Sequence, residues 1–552
     1  MNTPRLPSTQ YSFSTVPDVN IPRSSLRRPG TYKTTINAGL LYPVYIDEIL
    51  PGDTFILDQS SIARLTTPIV PFMDNLYLDF QFFFVPNRLV WNHWVNMMGE
   101  QVDPGDSVNY TVPYVSSATP AVGTLADYFG IPTGVKFGDK DVSALPFRAY
   151  NLIWNEWYRD ENLQDSVTVK KDDTADTLGN YTLLPRGKRK DYFTSCLPWP
   201  QKGDAINIPM SGSAPVIGNG NALGLTPSPN AVTAYMLGCQ SDGYLVPSNS
   251  TNVLVPGATF TKSTSIKSET LGVSQNPEKS GLIADLSAVN ATSINVLREA
   301  FALQRLLERN ARGGTRYVEL LKSLFGVTSP DARLQRPELL GSFTLPIQLH
   351  TVPQSSGSEE EGDVKTPQGN LSAFGMATGT RRAFAKSFVE HGYVIGLASV
   401  RADLTYQQGL RRMWSRQTRY DFYCPPLAHL GEQAVLNKEI YLSGASVVDS
   451  NGERVDNQAF GYNERWSEYK YGVNMITGEL RSTYAQSLDV WHLAQKFDNL
   501  PTLNDTFIRE NPPLSRVLAV TDAPQFLLDI YYNLRSVRPI PLYCVPGLID
   551  HF

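Results

Sequence analysis

The densest run of reactive side chains is Arg186-Gly187-Lys188-Arg189-Lys190, followed closely by Tyr192, Phe193 and Trp199. Cations this close together can hold a phosphate backbone while neighbouring rings stack on bases. The same residues suit a solvated loop or a contact between subunits. A second cationic run opens the chain, where Arg5, Arg23, Arg27, Arg28 and Lys33 against Asp18 leave residues 1–33 at +4. That stretch is rich in Pro, Ser and Thr and reads as an extended basic arm able to order on nucleic acid. A third set, Arg298, Arg305, Arg309 and Arg312, falls on one helical stripe. Glu308 lies within reach of Arg305 and Arg312, so ion pairing competes there with DNA. The DNA-contact candidates are therefore Arg5, Arg23, Arg27, Arg28, Lys33, Arg186, Lys188, Arg189 and Lys190.

Catalytic patterns are missing. The histidines His93, His350, His391, His429, His492 and His551 show no HxH or HExxH pairing, so metal sites of those types have no support. There is no GxSxG elbow and no GxxxxGK[ST] phosphate loop. Gly218-Asn219-Gly220-Asn221 imitates a dinucleotide loop without its third glycine. Asp172-Asp173 and Glu359-Glu360-Glu361 read as solvated acidic loops. No catalytic, cofactor-binding or metal-binding residue is assigned, and the chain is read as a non-enzyme with no cofactor.

The elements around these residues are mostly short strands. Leu40–Ile46, Thr54–Leu57 and Leu76–Val85 are β-branched and aromatic runs bounded by Pro, Gly, Asp or Asn. Phe82-Phe83-Phe84-Val85 is continuously apolar, as in a strand covered on both faces. Strand texture returns at Gly341–His350, His391–Leu404, Arg516–Val520 and Gln525–Leu534. Helical period appears at Trp91, Trp94, Val95 and Met98 before Gly99, and again from Pro146 through Phe147, Tyr150, Trp154 and Trp157. Both aromatic stripes read as packing faces. The clearest helix runs from Ile294 to Ala311, stopped by Gly313-Gly314, and a second from Arg316 to Phe325. Residues 203–292 are dominated by Gly, Ser, Asn, Thr, Pro and Ala and have no sustained period. A structureless loop that long is improbable inside a compact domain, so the segment reads as a surface insertion subdomain.

The 552 residues are 41% hydrophobic and 18% charged, which describes an ordered chain that buries surface. Net charge is −5, so bulk attraction to nucleic acid is excluded and any such contact must be local. Cys196, Cys239, Cys424 and Cys544 have neither disulfide-scaffold nor zinc spacing, and synthesis in a reducing cytoplasm fits. The sequence offers no signal peptide and no membrane span.

Long ordered stretches carry a family resemblance. They include YKTTINAGLLYPVYIDEILPGDTF at 32–55, TTPIVPFMDNLYLDFQFFFVPNRLVW at 66–91, YNLIWNEWYRDENLQ at 150–164 and LPRGKRKDYFTSCLPWPQKGD at 184–204. LQRLLERNARGGTRYVELLKSLFGVTSPDARLQRPELLG at 303–341, GLASVRADLTYQQGLRRMWSRQTRYDFY at 396–423, LDVWHLAQKF at 488–497 and VPGLIDHF at 545–552 continue the set. The chain resembles the gokushovirus (Microviridae) major capsid protein. The resemblance implies a mainly β fold, a single viral jelly roll of two four-stranded antiparallel sheets with long insertions and a few short helices. With the breaks in composition, it divides the chain into 1–33 (arm), 34–202 (first part of the core), 203–292 (insertion, which the resemblance makes a threefold protrusion) and 293–552 (helices, second part of the core and C-terminal extension). It further implies pentamers within a sixty-subunit T=1 icosahedral shell around a circular single-stranded DNA genome, located in the virion and assembled in the host bacterial cytoplasm. Implied partners are a small basic DNA-packaging protein, a minor pilot protein and a host surface receptor. The rival from another class is a carbohydrate-binding or carbohydrate-active β-sandwich protein of a phage. The position of the tryptophans weakens it, because 203–292 contains none.

Overall fold

Strand patterning accounts for most of the architecture. The computed structural model describes residues 22–204, 294–356 and 368–543, with residue 206 and short strand segments between 216 and 284. Arg5, the acidic run 357–365 and residues 545–552 lie outside the described residues. The chain divides into two compact units, Met1–Lys202 with Glu308–Phe552, and Gly203–Leu307.

Beside a separate two-stranded ribbon of Glu432–Leu436 and Ala459–Glu464, eight strands build the main sheets of the first unit. They are β1 Ser24–Ile36, β2 Tyr42–Ile49, β3 Thr54–Leu65 and β4 Leu76–Pro86, then β5 Glu338–Pro353, β6 Leu371–Ser387, β7 Gly392–Ala402 and β8 Phe526–Arg538. Every pairing is antiparallel, in the order β1-β8-β3-β6-β5-β4-β7-β2. β5 crosses between sheets, since Glu338–Ile347 pairs with β4 and Gln348–Pro353 with β6. Two four-stranded sheets, β1-β8-β3-β6 and β5-β4-β7-β2, are thereby joined at one corner. This is the jelly-roll order.

Between the sheets lies a core that includes Phe55, Leu57, Leu78, Phe80, Phe82, Phe84 and Ile530. The β5-β4-β7-β2 sheet is covered on its other face as well, where Phe83, Val85, Ile395 and Leu397 meet Trp91, Tyr150 and Trp154. The continuous Phe82–Val85 run therefore sends alternate side chains into two different cores. Full burial of each such side chain stabilises by about 1.5–3 kcal/mol. β8 instead alternates buried and exposed residues over most of its length, because the outer face of its sheet is open in the subunit.

Two of these eight strands are not legible in the sequence. Ser24–Lys33, read above as part of an arm, pair residue by residue with β8. β1 ends the strand order and is exposed along most of its length, so no apolar alternation marks it. β6 turns Ala373, Gly375, Ala377 and Ala383 toward close neighbours. A Cβ on Gly375 would lie 2.8 Å from Leu65 Cβ, so small residues replace the β-branched signal. Conversely, the strand expected at Arg516–Val520 is absent. Pro512 and Pro513 lead into a 3-10 turn at Leu514–Arg516 instead.

Helix α1, Leu145–Ile153, carries proline in its first turn and continues as a π-helical turn through Tyr158. Phe147, Tyr150 and Trp154 are buried, and Trp94 and Trp157 pack against the same cluster. The aromatic stripes are packing faces. Arg148 is fully buried in α1 and grips Asp176 through Nε at 2.7 Å and Nη2 at 3.3 Å. Helices α2, Ile294–Gly313, and α3, Tyr317–Phe325, follow the expected bounds, and Gly326 closes α3 with φ 70°. In the second unit, Val216–Gly218 pairs with Leu282–Ala284, and four short strands between Gly224 and Val273 form a separate sheet.

Candidate functional site

The run at 186–190 sits against the interior of the first unit. A backbone bridge from Gly187 to Arg509, and amide bonds from Arg186 to the Gly39 carbonyl and from Lys188 to the Ile508 carbonyl, tie it down. Gly39 is required there, since φ is 83° and a Cβ would collide with the Glu510 carbonyl. Lys188 is buried, donates to Gln495 Oε1 at 2.9 Å and lies 4.4 Å from the Phe507 ring centre. Burial pulls its pKa down to about 8, with Glu510 and Asp191 opposing the fall. Arg189 stacks 3.8 Å from the Tyr77 ring centre and reaches Asp403 at 3.6 Å. Lys190 pairs with Asp160 at 2.6 Å. Arg186 lies 4.6 Å from the Tyr158 ring centre, and burial lowers its pKa. Tyr192 and Phe193 belong to a third apolar cluster with Phe460 and Phe507, so they are held for packing.

The N-terminal cations separate in the same way. Arg28 makes a two-pronged pair with Asp47, at 2.9 and 3.2 Å. Arg23 donates to the Gly52 carbonyl and to Thr54 Oγ1. Lys33 faces Asp529 at 3.9 Å. Arg27 is exposed and has no ion pair among the described residues; it lies directly opposite Arg535 in the β1–β8 register. Like charges in that position repel, unless an anion lies between them. Arg64, on the open face of neighbouring β3, is also exposed with no ion pair among the described residues. Sequence reading missed Arg535 and Arg64, although the alternation within Gln525–Leu534, extended one residue, places Arg535 on the open side with Leu527, Asp529 and Tyr531. On α2, Arg312 pairs with Glu432 at 2.6 Å, a partner far along the chain rather than the Glu308 expected from helical spacing.

The described residues contain no group of three or more His, Cys, Asp and Glu placed to hold a metal ion, and no helix long and apolar enough to cross a membrane. Jelly rolls build viral capsids, lectins and cupins alike, and known sequences decide between them. A family model described as "Capsid protein (F protein)" matches residues 14–548. The chain belongs to the phage capsid protein (F protein) family. It is 46% identical to the capsid protein VP1 of Bdellovibrio phage phiMH2K, over 98% of each chain. It is 44% identical to the capsid protein VP1 of Chlamydia phage 1, over 99% of each. Identity to the capsid protein VP1 of Spiroplasma virus 4 is 36%, over 99% of this chain and 98% of that one. The gokushovirus-type, Microviridae resemblance therefore holds over essentially the whole length. As a capsid protein the chain is a structural component of the virion that assembles with copies of itself.

Proposed function

We propose that the chain forms a T=1 icosahedral shell of pentamers around a circular single-stranded DNA genome. The single observation behind this reading is the jelly-roll order of eight strands in a chain that matches the capsid family from residue 14 to 548. Within the shell, the open face of β1-β8-β3-β6 contacts nucleic acid through Arg27, assisted by Arg535 and Arg64, because these cations have no ion pair among the described residues. Arg5 and Arg23 extend that contact. The coat carries −5 overall, so a small basic packaging protein supplies the bulk neutralisation, and a minor pilot protein completes the particle. The segment 203–292 serves host attachment through a surface receptor. Assembly takes place in the host cytoplasm, and no catalysis is involved.

Expression with the phage partners should give uniform icosahedral particles in electron micrographs, with nuclease-protected DNA inside. A stable monomer under all assembly conditions overturns the shell reading. Deleting residues within 210–285 should spare shells and abolish adsorption to the host; normal adsorption by intact deletion particles overturns the attachment role.

A further inference from the structure

A cavity of about 850 Å³ in the first unit lies between Trp157–Gln164, the run from Arg186 to Leu197, and the start of α3. Eight lysines and arginines line it against the carboxylates Asp160, Glu161 and Glu319. Several of those cations are answered within the fold. Lys190 pairs with Asp160 at 2.6 Å, Arg316 with Glu161 at 3.1 Å, Arg312 with Glu432 at 2.6 Å and Arg401 with Asp79 at 2.5 Å.

Arg186 is different. Its Nε is buried without a hydrogen-bond partner, and none of the described carboxylates lies within ion-pair distance. Its guanidinium lies over the Tyr158 ring, with Arg401 repelling it and Asp79 and Glu510 attracting it from beyond ion-pair distance. A largely buried cation whose carboxylate neighbours are too distant to bond it directly is costly to keep. Exposed Lys322 of α3, which also lines the cavity, has no ion pair among the described residues either. A planar guanidinium fork matches an oxyanion that can accept two hydrogen bonds at once. Cavities of roughly 300–1,000 Å³ hold small-molecule ligands, so there is room for more than a bare ion.

We propose that this cavity is a phosphate site, in which a phosphate group takes Arg186 as its two-pronged partner and Lys322 as a second cation. The phosphate can belong to a free ion, a mononucleotide or the backbone of single-stranded nucleic acid. Only the last source rests on the DNA-enclosing reading above; the other two stand without it.

The test titrates the full-length protein, at fixed ionic strength in chloride, with inorganic phosphate, a deoxymononucleotide and a single-stranded DNA of about ten nucleotides. Binding is followed by calorimetry and by the thermal unfolding midpoint. Wild type should bind at least one probe and gain midpoint with it. Arg186→Gln should weaken that binding roughly tenfold or more, as expected for a charge-assisted pair, and Lys322→Gln should weaken it several-fold. Tighter binding of the oligonucleotide than of both small probes assigns the site to nucleic acid. Binding of a small probe without that gain assigns it to a free ion or nucleotide, and leaves the DNA-enclosing reading to its own test. No binding of any probe overturns the proposal, as does equal binding by wild type and Arg186→Gln. Should Arg186→Gln fail to fold, a density map of phosphate-saturated wild type decides: density beside Arg186 supports the site and an empty cavity overturns it.

Discussion

Glu510 makes a sharp test of how the interior handles charge. Its side chain is 4% exposed; Oε1 accepts from the Ala402 amide at 3.1 Å, while Oε2 has no partner. Burial raises its pKa from 4.5 to about 6, against the lowering effect of the Ala402 amide and of Lys188, Arg401 and Arg189. The folded state therefore holds a proton on Glu510 over a range where the unfolded chain has released it. An acid with a raised folded pKa contributes stability that is present below pH 4.5 and lost as pH rises through about 6. A shift from 4.5 to about 6 corresponds to about 2 kcal/mol. Glu510→Gln keeps the Ala402 bond and removes the titration. The variant should match wild type near pH 4 and exceed it by about 2 kcal/mol at pH 7. Urea unfolding followed by tryptophan fluorescence, at half-unit steps from pH 4 to 8, measures the difference. Parallel profiles for the two proteins would show that Glu510 is not held in a desolvated site and would refute the reasoning.

Other expectations follow from the same geometry. Arg148→Met leaves Asp176 buried beside only Lys170 and Tyr181, and should cost about 3–5 kcal/mol in urea unfolding; Arg148→Met with Asp176→Leu should recover part of that loss, and no recovery would contradict the pairing. Gly375→Val forces a branched Cβ against Leu65 and Leu349, so it should destabilise by about 1–3 kcal/mol, read from the thermal midpoint; a neutral result would contradict the β6–β3 register. Changing Arg23, Arg27 and Arg28 together to Ala should reduce the fraction of DNA-filled particles more than the shell yield, measured on density gradients, and equal packaging would sink the assignment of the β1 edge to DNA.

Legibility in the sequence follows the physics of each element. Phe82–Val85 announced a doubly covered strand because burial on both faces demands an unbroken apolar run. α1 and α3 were legible through Pro146 and Gly326, which act locally. β1 was hidden because an exposed edge strand needs no apolar period, and β6 because close packing selected Ala and Gly. The run 186–190 looked like a surface patch, since its partners Tyr77, Asp160, Asp403 and Gln495 lie far along the chain. Charge density is a local property; whether a charge is answered depends on the tertiary fold. For that reason Arg186 and Arg27, both candidates from the sequence, stood apart from the ion-paired cations only once their neighbours in space were known.

A cryo-electron-microscopy reconstruction of the particles formed by this chain tests the central claim most directly. The account predicts a closed icosahedral shell of one jelly-roll subunit per asymmetric unit, with the β1-β8-β3-β6 face and Arg27 turned toward density for nucleic acid. Particles without icosahedral order, or a shell in which that face points away from the interior, would contradict it.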